Sequence, residues 1–146
     1  MPSSPAYAES LDLPSAPFSV LCIDDNALLV DALERRLELE PGFQAMHRVA
    51  DFSKSVAVVL QTQPTVVILD IDLPGGVNAF TILADIVQFA PVSRVIVFTG
   101  YPTGEGLRRS LAGGAWGFVS KGTSAERLIL AIHRVRYGEA VAEIDD

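Results

Sequence analysis

The segment TVVILDIDLPGG, residues 65–76, decides the fold. Val66 to Leu69 is an uninterrupted apolar run, and it stops abruptly on the carboxylate of Asp70. So short and apolar a run reads as a strand buried on both faces. Asp72 follows two residues later, and Pro74-Gly75-Gly76 turns the chain. The segment therefore predicts an interior strand with an acidic group at its C-terminal end.

Reading outward, the same alternation continues in both directions. Toward the N-terminus, FSKSVAVVLQTQ (52–63) predicts a short helix closed by Pro64, and QAMHRVA (44–50) a weaker, more polar strand suited to a sheet edge. ALLVDALERRLELE (27–40) places Leu29, Leu33 and Leu37 at helical spacing and is stopped by Pro41-Gly42. FSVLCI (18–23) is another apolar strand, ending on Asp24-Asp25. Toward the C-terminus, VNAFTILADIVQFA (77–90) is a helix, RVIVFTG (94–100) a strand ending at Thr99, and GEGLRRSLAGG (104–114) a Gly-rich helix. GFVSK (117–121) is a strand ending at Lys121. Thr123-Ser124-Ala125-Glu126 has the pattern of a capping box and opens the last helix, which Gly138 ends.

Five strands alternating with five helices predict an α/β fold: a doubly wound, five-stranded parallel sheet covered on both faces. The apolar first, third and fourth strands belong inside and the polar second strand at an edge, so the order 2-1-3-4-5 fits. In an open parallel sheet the C-terminal strand ends share one edge, and ligands bind there. That edge gathers Asp24, Asp25, Asp70, Thr99 and Lys121.

Crowded carboxylates repel one another unless a cation relieves them. A few carboxylates at an open site suit Mg²⁺ better than a Ca²⁺ cage. One cysteine and two histidines without ligand spacing argue against zinc. A divalent ion beside Lys121 makes a cationic cradle for a phosphoryl group, within which a carboxylate can act as nucleophile. Thr99 can donate to a phosphoryl oxygen.

The 146 residues suit one domain. A net charge of −7 disfavours direct nucleic-acid binding, and no apolar run approaches a membrane span. A lone cysteine and no secretory signal point to a cytoplasmic protein. Residues 1–17, with four prolines and four serines, read as a disordered leader, 18–138 as the domain, and 139–146 as linker or tail.

VLCIDDN, VVILDIDLPGG, VIVFTG and GFVSKG resemble, in order and approximate spacing, the four signatures of response-regulator receiver domains, with the NarL-like (LuxR-type) group the nearest in its last helix. The resemblance implies a flavodoxin-like fold and a site with defined roles. Asp70 is the phosphoacceptor. Asp25, Asp70 and the backbone carbonyl of Asp72 ligate Mg²⁺, and Asp24 assists through water. Thr99 and Lys121 bind phosphoryl oxygens. Thr99 and Phe118 form a switch in which the ring swings inward on phosphorylation. The chain departs from the family at Gly122, where many receivers have proline, and at the loose Gly75-Gly76 loop. The implied partners are a sensor histidine kinase or phosphotransfer protein, and a homodimer or an output domain reached through residues 104–138. The implied protein is a phosphoacceptor with slow self-dephosphorylation rather than an enzyme. Its output is a DNA-binding domain outside this chain, or the chain is a stand-alone receiver or phosphorelay shuttle.

Three other readings bear on the same residues. The pair Asp24-Asp25 has the ordinary reading of a helix cap, and Asp70 and Asp72 that of turn residues. ILDIDLP also matches the Asp-x-Asp nucleophile segment of haloacid-dehalogenase phosphatases, but there the acidic pair comes last in the chain, and here it comes first. A pseudo-receiver that is never phosphorylated would not need the five strand-end groups together.

Overall fold

The computed structural model describes residues 16–144, so all but the end of the leader lies outside the described residues. The chain alternates strand and helix throughout. In chain order the elements are β1 (Phe18–Ile23), α1 (Ala27–Leu37), β2 (Phe43–Arg48), a short 3-10 turn (Phe52–Lys54), α2 (Ser55–Thr62), β3 (Val66–Leu69), α3 (Ala79–Phe89), β4 (Arg94–Thr99), α4 (Gly104–Ala112), β5 (Gly117–Ser120), α5 (Ala125–Arg136) and β6 (Val141–Glu143). The strands form one sheet in the order β2-β1-β3-β4-β5-β6, every pair parallel.

The expected order 2-1-3-4-5 holds, but the sheet has six strands, not five. The sixth lies in the segment read as linker or tail. Gly138, at φ +90°, reverses the chain after α5, and Glu139 N–H donates back to the Arg134 carbonyl. The chain then meets the open edge of β5, where Val141 N–H donates to the Trp116 carbonyl at 3.0 Å. An unpaired edge accepts any strand delivered in register, and Val141 is buried there.

Period-two alternation sorts the strand residues onto two faces. Phe18, Val20 and Cys22 of β1 face Leu33 and Leu37 of α1 and Ile129 and Ile132 of α5. Leu21 and Ile23 face the opposite layer, with Val59 of α2 and Ile82 and Ile86 of α3. Every residue of β3 is buried, as expected of a strand covered on both sides, whereas β2 is largely half-exposed at its edge.

The helix ends explain why the strand-end acids are free for other work. Asn26 caps α1, its side chain accepting from Leu29 N–H, so neither Asp24 nor Asp25 serves as the cap. Ser124 caps α5 by accepting from Arg127 N–H. The predicted Thr123–Glu126 box therefore does not form. Glu126 instead makes a two-pronged ion pair with Arg36 of α1, both contacts at 2.8 Å.

Candidate functional site

The site lies at the C-terminal edge of the sheet, where β1, β3, β4 and β5 end side by side. Register sets the geometry: Ile23 pairs with Leu69, Leu69 with Val97, and Thr99 with Ser120. The next residues along, Asp24, Asp70 and Lys121, must therefore emerge together.

Asp70 is buried. Its Oδ1 accepts from the backbone N–H of Asp72 at 2.9 Å, and its Oδ2 lies 3.2 Å from Lys121 Nζ. Burial pushes the Asp70 carboxyl above its ordinary range, against the Asp72 N–H and the Lys121 charge, which pull it down; the charge on Asp24 adds to the rise. Lys121 Nζ also lies 2.8 Å from Asp24 Oδ2. Burial opposes the Lys121 charge, yet the Asp24 and Asp70 carboxylates outweigh it and hold the ammonium above its ordinary value.

Asp24 is held from two sides. Its Oδ1 accepts from Asn26 N–H at 2.8 Å. Its Oδ2 is buried and, although close to the ammonium, accepts no aligned hydrogen bond. Asp25 is exposed beside it. Oxygen atoms of Asp24, Asp25 and Asp70 all lie within 4.8 Å of one another. A buried carboxylate oxygen lacking an aligned donor, in an all-oxygen cluster open on one side, fits a hard divalent cation of the Mg²⁺ type. A cavity of about 280 Å³ opens beside the acidic pair, with Arg48 at its rim.

Thr99 is fully buried. Its hydroxyl oxygen accepts from Tyr101 N–H at 3.0 Å and donates to Asp72 Oδ2 at 3.0 Å. Phe118 lies wholly inside the layer that carries α3 and α4. A Cβ on Gly106 of α4 would sit 3.7 Å from its ring. The ring thus lies on the inward side of β5. Gly106 has no bulk to hinder it there.

Asp24, Asp25, Asp70, Asp72, Thr99 and Lys121 are thus brought together, and Phe118 lies on the adjoining strand. Asn26 and the backbone N–H groups of Asp72 and Tyr101 also build the site, and sequence reasoning did not single them out. Backbone donors carry no side-chain signal. Asn26 follows directly after the acidic pair, to which the sequence offered the capping role that Asn26 takes.

A doubly wound parallel sheet with this strand order, and a carboxylate cluster and lysine at its C-terminal edge, defines a receiver domain. Residues 20–133 match the response regulator receiver domain family, and the chain belongs to it. It is 28% identical over 120 residues to the oxygen regulatory protein NreC of Staphylococcus carnosus, covering 82% of this chain and 55% of that protein. It is 27% identical over 122 residues to a nitrate/nitrite response regulator protein homolog of Haemophilus influenzae, covering 84% of this chain and 58% of that one. The chain thus spans a little over half the length of these curated relatives. Among solved structures, a two-component response regulator of the LuxR family from Aurantimonas sp. SI85-9A1 superposes with a TM-score of 0.79 at 23% identity, over 86% of this chain and 89% of that one. No helix among the described residues is long and apolar enough to cross a membrane.

Proposed function

We propose that this chain is the phosphoacceptor module of a two-component response regulator, taking a phosphoryl group onto Asp70 in the presence of Mg²⁺. The observation that carries this is the position of Lys121, whose ammonium lies within 3.2 Å of Asp70 and 2.8 Å of Asp24 at the edge of a three-carboxylate cluster. With a divalent cation bound beside Lys121, Asp70 would lie inside a cradle of positive charge, as an acyl-phosphate site requires.

In the transfer, a carboxylate oxygen of Asp70 attacks phosphorus and forms the new O–P bond. The bond from phosphorus to the donor's leaving atom breaks, and the leaving group keeps the electron pair. Mg²⁺, when bound, would offset the carboxylate charge and polarise the phosphoryl oxygens. Asp25, Asp70 and the Asp72 carbonyl are suited to hold it directly, and Asp24 through water. Lys121 and Thr99 supply donors to the phosphoryl oxygens.

The donor is a sensor histidine kinase or a phosphotransfer protein. The relatives extend beyond the matched region and are named as regulators, which supports an output domain, DNA-binding by the LuxR-type likeness; residues 104–138 are the face through which this chain would reach it. A homodimer through the same face, a stand-alone receiver and a phosphorelay shuttle remain the rival outputs. We read the chain as a slow phosphoacceptor that acts in the cytoplasm rather than as a turnover enzyme.

Incubation with Mg²⁺ and a small acyl-phosphate donor tests this reading. One added phosphoryl mass is expected, labile to alkali and absent from Asp70→Asn. Equal labelling of that variant would overturn the assignment.

A further inference from the structure

The hydroxyl of Thr99 has a single proton to give, and that proton is already committed. Tyr101 N–H occupies its oxygen as acceptor at 3.0 Å, which orients the O–H, and the proton goes to Asp72 Oδ2 at 3.0 Å. The acceptor is a carboxylate, so the bond is charge-assisted and stronger than one between neutral groups. Asp72 is itself fixed with respect to Asp70, because its backbone N–H donates to Asp70 Oδ1 at 2.9 Å. One two-residue step of chain therefore links the nucleophile to the group that holds Thr99.

We propose that the Asp72 side chain is a built-in competitor for Thr99: it holds the hydroxyl while Asp70 is bare, and a phosphoryl group on Asp70 must win the proton from it. This rests on the reading of Asp70 as phosphoacceptor. When the phosphoryl oxygen takes the proton, the Asp72 carboxylate loses its donor beside a group of like charge. Asp72 is exposed, so its side chain can turn to water without unfolding the loop. Asp72 is a positioning residue in this account. It touches Thr99, and it sets how readily the phosphorylated arrangement is reached by making Thr99 exchange one strong acceptor for another.

A simple repulsion between the Asp72 charge and the phosphoryl group predicts a different pattern of variants, so the two are separable. Asp72→Asn removes the charge but keeps a carbonyl acceptor for Thr99, whereas Asp72→Ala removes both. The full chain in Mg²⁺ is titrated with beryllofluoride as the phosphoryl mimic and followed through backbone amide resonances. Each variant is measured with Thr99 and with Thr99→Ala. With Thr99 present, Asp72→Ala is expected to lower the half-saturating concentration roughly 10- to 100-fold, the worth of one hydrogen bond to a charged group, and Asp72→Asn less. In the Thr99→Ala background the two should converge on one smaller shift, the part due to charge alone. Equal shifts for Ala and Asn with Thr99 present, or the same Asp72→Ala shift with and without Thr99, would overturn the proposal. A wild-type chain that does not saturate with beryllofluoride, or an Asp70→Asn variant that binds it equally well, would instead bring down the phosphoacceptor reading, and this inference with it.

Discussion

Lys121 Nζ lies 2.8 Å from Asp24 Oδ2 although the two residues end strands at nearly opposite ends of the chain. The Asp24 side chain is 2% exposed and that of Asp70 5%, so the ammonium is the cation nearest to two buried acids. Replacing Lys121 by Ala leaves them facing each other and should lower stability in chelator by about 2 kcal/mol. Added Mg²⁺ should recover much of the loss. The Lys121 ammonium is held above its ordinary value, so its contribution is complete at neutral pH and fades only when strong alkali removes the proton. Urea unfolding with and without Mg²⁺ checks this. A variant as stable as wild type in chelator would show that Lys121 does not hold the acids.

Asp70 titrates in the opposite sense to an ordinary paired carboxylate. Burial raises its pKa, so the neutral form is favoured in the fold. Its contribution is present below the unfolded value of about 3.9 and is lost as pH rises through the folded one. At neutral pH the ionised group therefore works against the metal-free fold. Asp70→Asn should be more stable than wild type in chelator at neutral pH. The gap should close on acidification and narrow or reverse in Mg²⁺. Chemical denaturation across pH reads the sign directly, and a gap that widens toward acid would contradict the burial argument.

The two acids after β1 should not be equivalent toward Mg²⁺. Asp24 is already engaged by Lys121 and by Asn26 N–H, whereas Asp25 is exposed at the open side of the cluster. Loss of an outer partner of a metal site costs roughly 10- to 100-fold in affinity. Asp24→Ala should fall in that range, and Asp25→Ala should lose more. Calorimetric titration with Mg²⁺ ranks them, and the reverse order would mean that Asp24 is the direct ligand.

Cys22 should be chemically silent in the native chain. Burial in the sheet, with the charge of Asp24 nearby, pushes its thiol up to about 12. Only the thiolate is nucleophilic. Iodoacetamide at about pH 8 should leave the folded protein unmodified and alkylate it fully in denaturant. Rapid labelling of the native form would show that β1 opens far more often than its burial implies.

The sixth strand predicts protection of amides that a linker would not show. Val141 N–H is bonded to Trp116 and its side chain is buried, so it should exchange more slowly than Ile144, which is 47% exposed beyond the strand. Val141→Ser should destabilise the domain by about 1–2 kcal/mol. Free exchange at Val141 would mean that the tail does not pair in solution.

Much of this arrangement follows from local pattern. Val66–Leu69 is apolar without interruption because a strand buried on both faces has no polar side to show. Once such strands alternate with helices, a parallel sheet is the remaining way to bury them, and the groups at their C-terminal ends must meet. That is why Asp24, Asp70, Thr99 and Lys121 could be placed together from sequence, although Lys121 and Asp24 are 97 residues apart (121 − 24).

What only the tertiary structure decided are the choices among partners that local pattern leaves equal. VAE at 141–143 has no strand periodicity, and it is a strand because α5 returns the chain to the bare edge of β5. Glu126 fits a capping box in sequence, but Ser124 takes the capping position and Arg36 meets Glu126 across the packed helices in a two-pronged ion pair. Asp72 could be read as a turn residue or a bystander charge, and only the packing of β3 against β4 brings its carboxylate to Thr99. The alternation of apolar and polar residues is written along the chain within a few positions. A hydrogen bond or ion pair depends on two side chains meeting at a distance of about 3 Å, and that meeting exists only after the layers have packed.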